Sequence, residues 1–239
     1  MLRAIIFDFD GIIVNSEPLI LKITQEMAAQ EGWSVTDEEY YREYLAYDDR
    51  GIIEHLYRSH GRPIDVQRRD ELVGWKARVY AGMIRGGLPP LPGAVEFVRR
   101  AALRYPLAIG SGSLRSEIEH LLMTLQLRDA FQVVVTADEV EHSKPEPEVY
   151  LKVLDGLRGL PQFRATSTGD GPSPLMAGEC LVIEDAPAGI RAAHAAGMKC
   201  LALAHSRPAG ELQQADWVSL NFAGVDFPAI VAGFDPAGR

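Results

Sequence analysis

Cysteine is nearly absent from this chain. Two residues in 239, Cys180 and Cys200, are too few for a disulfide framework. Both sit beside expected strands and read as small buried thiols. Long apolar runs are missing too: none approaches the roughly 20 residues of a membrane span. Basic residues are in the minority, 24 Lys and Arg against 33 Asp and Glu, for a formal charge of −9. That balance argues against a nucleic acid or an anionic membrane as partner, although a few local basic groups still suffice for a phosphate monoester. The N-terminus lacks the basic, apolar and small-residue succession of a signal peptide, and no internal repeat is present. The expectation is a cytoplasmic monomer acting on a small molecule. At 47% hydrophobic and 24% charged residues, the composition is that of an ordinary globular protein.

What the chain does have is concentrated in Leu2–Ser16, LRAIIFDFDGIIVNS. Ala4-Ile5-Ile6-Phe7 is a short run of the kind that forms a parallel strand buried on both faces. It ends in Asp8 and Asp10, separated by Phe9 and followed by Gly11. Ligands of parallel α/β sheets bind at the carboxyl ends of the strands. Two acids placed there repel each other and need a cation or a proton. A solvated acidic turn is one reading of the pair. A metal-assisted site, with one Asp attacking and the other moving protons, is the other.

From Ser16 to Gly87 the pattern is helical. Pro18 suits a first helical turn and Gly32 ends that helix. Thr36-Asp37-Glu38-Glu39 is a capping box opening a second. A third is expected over about residues 51–60, and Asp65 caps a fourth running to about Arg85. The proline-rich segment Leu88–Gly93 reads as a stiff return linker. Beyond it strands and helices alternate. Strands are expected at Leu107–Ile109, Val133–Val135, Leu181–Ile183 and Leu201–Leu203, with a short sixth at Trp217-Val218. Ser113 is placed to cap the helix from Leu114 to Leu125. Arg158–Glu179, rich in Gly, Pro, Ser and Thr, reads as a long surface loop at the amino edge of the sheet.

Three further segments fall where strands deliver their carboxyl ends. They are Ser111 and Gly112 in IGSGS, Lys144 in SKPEPEVY, and Glu184-Asp185 in VIEDAPAGI. Taken singly, each has a plain alternative: a helix cap, a solvated loop lysine, an acidic turn. Together with FDFDGIIVNSE and in this order, they resemble the haloacid dehalogenase superfamily. The likeness lies in its branch with a helical cap after the first strand, near its sugar-phosphate phosphatases and β-phosphoglucomutases.

The resemblance implies an α/β fold: a Rossmann-like parallel sheet of strand order 5-4-1-2-3, with residues 1–15 and 88–239 as core and 16–87 as an inserted all-helical cap. It implies Mg²⁺ as cofactor and a phosphorylated small metabolite, a sugar phosphate, as substrate. Asp8 would be both nucleophile and metal ligand. Asp10 would offer its backbone carbonyl to the metal, and its side chain would protonate the leaving oxygen and then activate water. Asp185 would bind the metal, with Glu184 beside it in the metal set. Ser111, Gly112 and Lys144 would hold the phosphate, and Lys144 would also neutralise Asp8. Dehalogenases lack the second acid because a halide leaves unprotonated, so Asp10 favours phosphoryl transfer.

The pattern departs in two places. Asn15 stands where the family often has an acid. Ile20 stands where β-phosphoglucomutase carries a cap histidine, which weakens the alternative of a phosphosugar mutase. Within the cap, Tyr47-Asp48-Asp49-Arg50 falls where relatives place a specificity loop, and Lys76 matches a lysine that relatives point at the site. Helix capping by Asp48 or Asp49, and a solvated helix lysine, are the competing readings. A receiver-type phosphorylation switch also uses acids, a Ser/Thr and a Lys, but at about half this length, without the helical insert, and with its phosphorylated Asp on a later strand.

Overall fold

A computed structural model describes residues 1–44, 47, 49–164 and 173–235. The chain divides into two compact units, residues 1–15 with 87–239, and residues 16–86. Gly87 thus groups with the first unit.

That first unit is built on six strands: β1 (Ala4–Phe7), β2 (Leu107–Gly110), β3 (Phe131–Val135), β4 (Cys180–Glu184), β5 (Lys199–Leu203) and β6 (Trp217–Ser219). Their order across the sheet is β3-β2-β1-β4-β5-β6, and every pairing is parallel. The five-strand order expected from the sequence is present, and β6 extends it beyond β5. β1, at the centre, is buried along its whole length. Strands covered on both faces have no polar side to alternate with, which is why the sequence shows runs rather than alternation.

Helices cover both faces. On one, Val149, Tyr150, Val153, Leu154 and Leu157 of the helix Glu148–Arg158 pack with Ile190, Ala192 and Ala193 of the helix Pro187–Ala195. On the other, Phe7 meets Phe97 of the helix Ala94–Ala102 and Phe131 of β3, edge to face, at 6.2 and 5.7 Å. A further helix, Arg115–Thr124, buries Ile118, Leu121 and Leu122, and Phe227–Ala232 closes the described chain. Cys180 and Cys200 lie within β4 and β5 as buried free thiols. Burial pushes the Cys180 thiol up to about 12, which makes it inert.

Beyond β1 the chain turns sharply at Gly11, whose φ is +75°, and the N–H groups of Ile12, Ile13 and Val14 all point to the carbonyl of Phe9. Leu91 N–H bonds Ile13 O at 3.0 Å and Asn15 N–H bonds Pro89 O at 3.1 Å. The outgoing segment and the proline-rich return segment are therefore stitched side by side.

The expected long loop is more structured than its composition suggests. Arg158 is the last residue of its helix, and 161–163 and 177–179 form single 3₁₀ turns. Residues 165–172 lie outside the described chain. Arg3, just before β1, bonds Glu179 Oε2 at 2.9 Å and Ser173 O at 2.9 Å. This places residues 173–179 at the amino edge of the sheet.

The second unit contains the helices Glu17–Gln30, Asp37–Glu39, Asp49–Ser59 and Val66–Met83. Its own apolar cluster includes Leu21, Met27, Tyr40, Tyr44, Ile53, Leu56 and Leu72. The capping box at Thr36 is present, with Glu39 N–H to Thr36 Oγ1 at 3.2 Å. The helix it opens is not a regular one, however. After three residues it widens into a π-helical turn, Tyr40–Tyr44, in which the rings of Tyr40 and Tyr44 are buried and stacked. Cap chemistry is local and legible; the winding beyond it follows the burial of those rings. Among the described residues, no helix is long and apolar enough to cross a membrane.

Candidate active site

Strand register assembles the site. Phe7 pairs with Ile109 of β2 on one side and Ile183 of β4 on the other. The residues just past these partners, Asp8, Gly110-Ser111 and Glu184-Asp185, consequently emerge at one level on three adjacent strands. The Asp8 N–H continues the ladder to Ile183 O at 2.9 Å. Ser111 N–H does the same to Val135 O at 3.1 Å.

Lys144, from the loop after β3, crosses this end of the sheet. Its Nζ is 2.9 Å from Asp8 Oδ1 and 2.7 Å from Glu184 Oε1. Both Asp8 and Glu184 are buried. Oε1 of Glu184 also accepts from the hydroxyl of Tyr150 at 2.9 Å, and its Oε2 accepts from the N–H groups of Asp185 and Ala186 at 2.9 and 3.0 Å. A carboxylate has about four lone-pair sites, and all are filled. The backbone donors precede the helix Pro187–Ala195, whose N-terminal dipole adds to the stabilisation of the anion. The fit is tight: a Cβ on Gly189 would fall 1.7 Å from Glu184 Oε1.

Asp185 stands at the mouth of the same site. One oxygen each from Asp8, Glu184 and Asp185 lie within 4.8 Å of one another. Oδ2 of Asp185 abuts Gly11, where a Cβ would come within 2.1 Å of it. Gly11 is needed twice over, for this approach and for its positive φ.

Asp10 is half-buried, and its Oδ2 accepts a hydrogen bond from the Ser113 hydroxyl. This corrects the expected role of Ser113. The helix begins one residue later, with Leu114 as N-cap and its N–H on Glu117 Oε2 at 3.3 Å. Ser111 is buried, and its hydroxyl accepts from Ser113 N–H at 3.1 Å. Gly112 N–H has no partner among the described residues, which leaves it as a donor for a ligand. A Cβ on Gly110 would meet the Tyr150 ring at 3.1 Å.

The electrostatics follow from burial. Asp8 is pushed up to about 8, first by burial and further by Glu184 and Asp185, with Lys144 opposing. Burial works against the charge on Lys144, but Asp8 and Glu184 outweigh it and hold the ammonium above the usual lysine range. Lys144 is the one lysine in contact with acids here, against Asp8, Asp10, Glu184 and Asp185. A surplus of oxygen anions around one cation is a donor set suited to a hard divalent ion. Asp8 and Asp185 have oxygens to offer such an ion, whereas Glu184 is committed to Lys144, Tyr150 and the helix. The acids, Ser111, Gly112 and Lys144 named from the sequence therefore meet in one place.

The three cap candidates lie in the helical unit. Lys76 is 3% exposed and forms an ion pair with Asp49, so it is not a solvated helix lysine. A buried lysine needs such a partner. Arg50 is exposed in the first turn of its helix. Asp48 lies outside the described residues.

Sequence reasoning missed Tyr150, Ser113 as a partner of Asp10, and the pair His205-Ser206. Tyr150 closes the SKPEPEVY segment, and helical periodicity alone marks it as core. His205 and Ser206 follow β5, and the strand-end rule applied to that strand finds them.

Known proteins are similar to this chain in sequence and in fold. A family model described as haloacid dehalogenase-like hydrolase matches residues 5–203. A phosphorylated carbohydrates phosphatase of Thermotoga maritima is 30% identical over 204 residues, 83% of either chain. A fructose-1-phosphate phosphatase of Escherichia coli is 32% identical over 202 residues, 81% of this chain and 92% of that one. Among solved structures, a haloacid dehalogenase hydrolase of Entamoeba histolytica superposes with a TM-score of 0.78 at 21% identity, covering 98% of this chain and 99% of that chain.

Proposed function

The chain belongs to the haloacid dehalogenase-like hydrolases, and within that family we propose that it is a Mg²⁺-dependent phosphatase of a small sugar phosphate. The observation that carries the reading is the pair Asp8 and Asp10. Asp8 is clasped by Lys144, while Asp10 is held by a serine hydroxyl, so two acids of one strand end have separate partners.

Asp8 is the nucleophile. Its carboxylate attacks phosphorus, the bond to the sugar oxygen breaks, and Asp10 donates its proton to that oxygen. Asp10 then takes a proton from a water molecule, which attacks the phosphoryl group on Asp8 and releases inorganic phosphate. Ser113 donates to Oδ2 of Asp10 and restrains the carboxyl that exchanges the proton. Lys144 neutralises the Asp8 carboxylate and the transferring group. The Ser111 hydroxyl and Gly112 N–H receive phosphate oxygens.

Asp8 and Asp185 side chains, with the backbone carbonyl of Asp10, would hold the metal. When bound, it withdraws charge from the phosphate so that an anionic nucleophile can approach. Glu184 serves that site from behind, by holding Lys144 and shaping the turn into the next helix. Substrate selectivity is assigned to Asp49 and Arg50 of the helical unit, where buried Lys76 is the ion-pair partner of Asp49.

The test is phosphate release from a panel of phosphorylated metabolites, with Mg²⁺ and after EDTA. Mg²⁺-restored turnover of sugar phosphates is expected; full turnover in metal-free buffer would sink the reading. Incubation with β-glucose 1-phosphate and a bisphosphate primer separates hydrolysis from the mutase alternative, and free phosphate is the expected product.

A further inference from the structure

Oδ2 of Asp185 is enclosed on more than one side. His205 Nε2 lies 3.4 Å from it, the Ser206 hydroxyl donates to it at 3.3 Å, and Gly11 closes another side without a side chain. His205 and Ser206 both come from the carboxyl end of β5. There Ala202 pairs with Glu184, so β5 ends level with the residue that follows Glu184. Side-chain exposure is only 16% for His205 and 15% for Asp185, so neither ring nor carboxylate swings freely in water.

A carboxylate at the end of a short side chain has a broad, two-fold torsional preference, and unrestrained it would offer either oxygen. Holding one oxygen from behind fixes which one faces a ligand. We propose that His205 and Ser206 are positioning residues that orient Asp185 and present its Oδ1 to the metal. The role requires that Nε2 be the ring nitrogen that carries a proton. Neither residue touches the reacting atoms. The inference rests on Asp185 being a metal ligand, as proposed above. Groups that orient metal-binding carboxylates from behind are typically worth about 10–100-fold in metal affinity.

The experiment is calorimetric titration of the full chain with Mg²⁺ alone, no substrate present, on wild type and on Asp185→Ala, His205→Leu, His205→Gln, His205→Asn and Ser206→Ala, each checked for folding by circular dichroism. His205→Leu is expected to weaken Mg²⁺ by about 10-fold or more. Glutamine, whose amide nitrogen reaches the Nε2 position, should restore binding to within a few-fold; asparagine, too short to do so, should not. Ser206→Ala should weaken Mg²⁺ less. At saturating Mg²⁺, the substrate KM of the His205 and Ser206 variants should match wild type. If the leucine variant does not fold, the asparagine variant carries the same expectation. Wild-type Mg²⁺ affinity in both His205→Asn and Ser206→Ala, with binding lost in Asp185→Ala, overturns the positioning role alone. Absence of Mg²⁺ binding in wild type, or unchanged binding in Asp185→Ala, sinks the metal-site reading and the positioning role with it.

Discussion

Lys144 Nζ stands 2.9 Å from Asp8 Oδ1 while it also holds Glu184 at 2.7 Å. A single ammonium thus ties the strand-one carboxylate to the strand-four carboxylate. Replacing it by methionine keeps the apolar stem and leaves two buried acids without a cation. Loss of one such preorganised charge typically costs about 10²–10³ in kcat. Lys144→Arg should not rescue, because a planar fork cannot occupy the position of a point charge. Steady-state kinetics on the three proteins checks this, and a Lys144→Met enzyme within a few-fold of wild type contradicts it.

Asp8→Asn and Asp10→Asn should fail differently. The first removes the nucleophile and abolishes both turnover and phospho-enzyme. The second keeps the nucleophile but loses general acid–base catalysis, typically about 10²–10⁴-fold. Its deficit should shrink with an aryl phosphate, whose leaving group needs little protonation, and phospho-Asp8 should then accumulate. Rapid-quench mass spectrometry reads both outcomes. Phosphate found on any other residue would overturn the assignment.

Gly189 faces Glu184 so closely that no β-carbon fits between them. Gly189→Ala should therefore push Glu184 off Lys144 and the helix N-terminus, even though alanine favours a helix. Overpacking of this kind typically costs about 1–3 kcal/mol. The expected outcome is a lowered Tm together with reduced kcat. A rise in Tm, as helix propensity alone predicts, would show that the carboxylate is not so confined.

Without metal, Asp8 holds its proton up to about pH 8, against an ordinary value of 3.8. Between these values the folded protein binds a proton that the unfolded chain does not. Its contribution to stability is therefore present at low pH and lost as pH rises through about 8. Mg²⁺ favours the ionised carboxylate and should offset that loss. Thermal unfolding from about pH 6 to 9, with and without Mg²⁺, should show a gap in Tm that widens with pH. A gap independent of pH would contradict the account.

The sequence by itself determined the strands, the helical insert and the four acidic, serine and lysine segments. Each depends on local chemistry: apolar runs that fit a doubly covered sheet, proline and glycine where the backbone turns, carboxylates directly after a strand. The sheet order came only from the family resemblance that those segments carry together. Tertiary structure decided the rest, because partner choice is a matter of register and reach. Nothing local distinguishes Ser113 as a helix cap from Ser113 as the donor to Asp10, more than a hundred residues away in sequence. In the sequence Lys76 reads equally as a lysine directed at the site or as a solvated helix lysine; packing of the helical unit buries it against Asp49. Glu184 and Asp185 are neighbours of like type, yet two N–H groups of the turn into the next helix, together with Lys144 and Tyr150, saturate the first and leave the second facing the mouth of the site. That division of roles arises where β4 ends and a glycine on the following helix makes room, a relationship that only the folded chain contains.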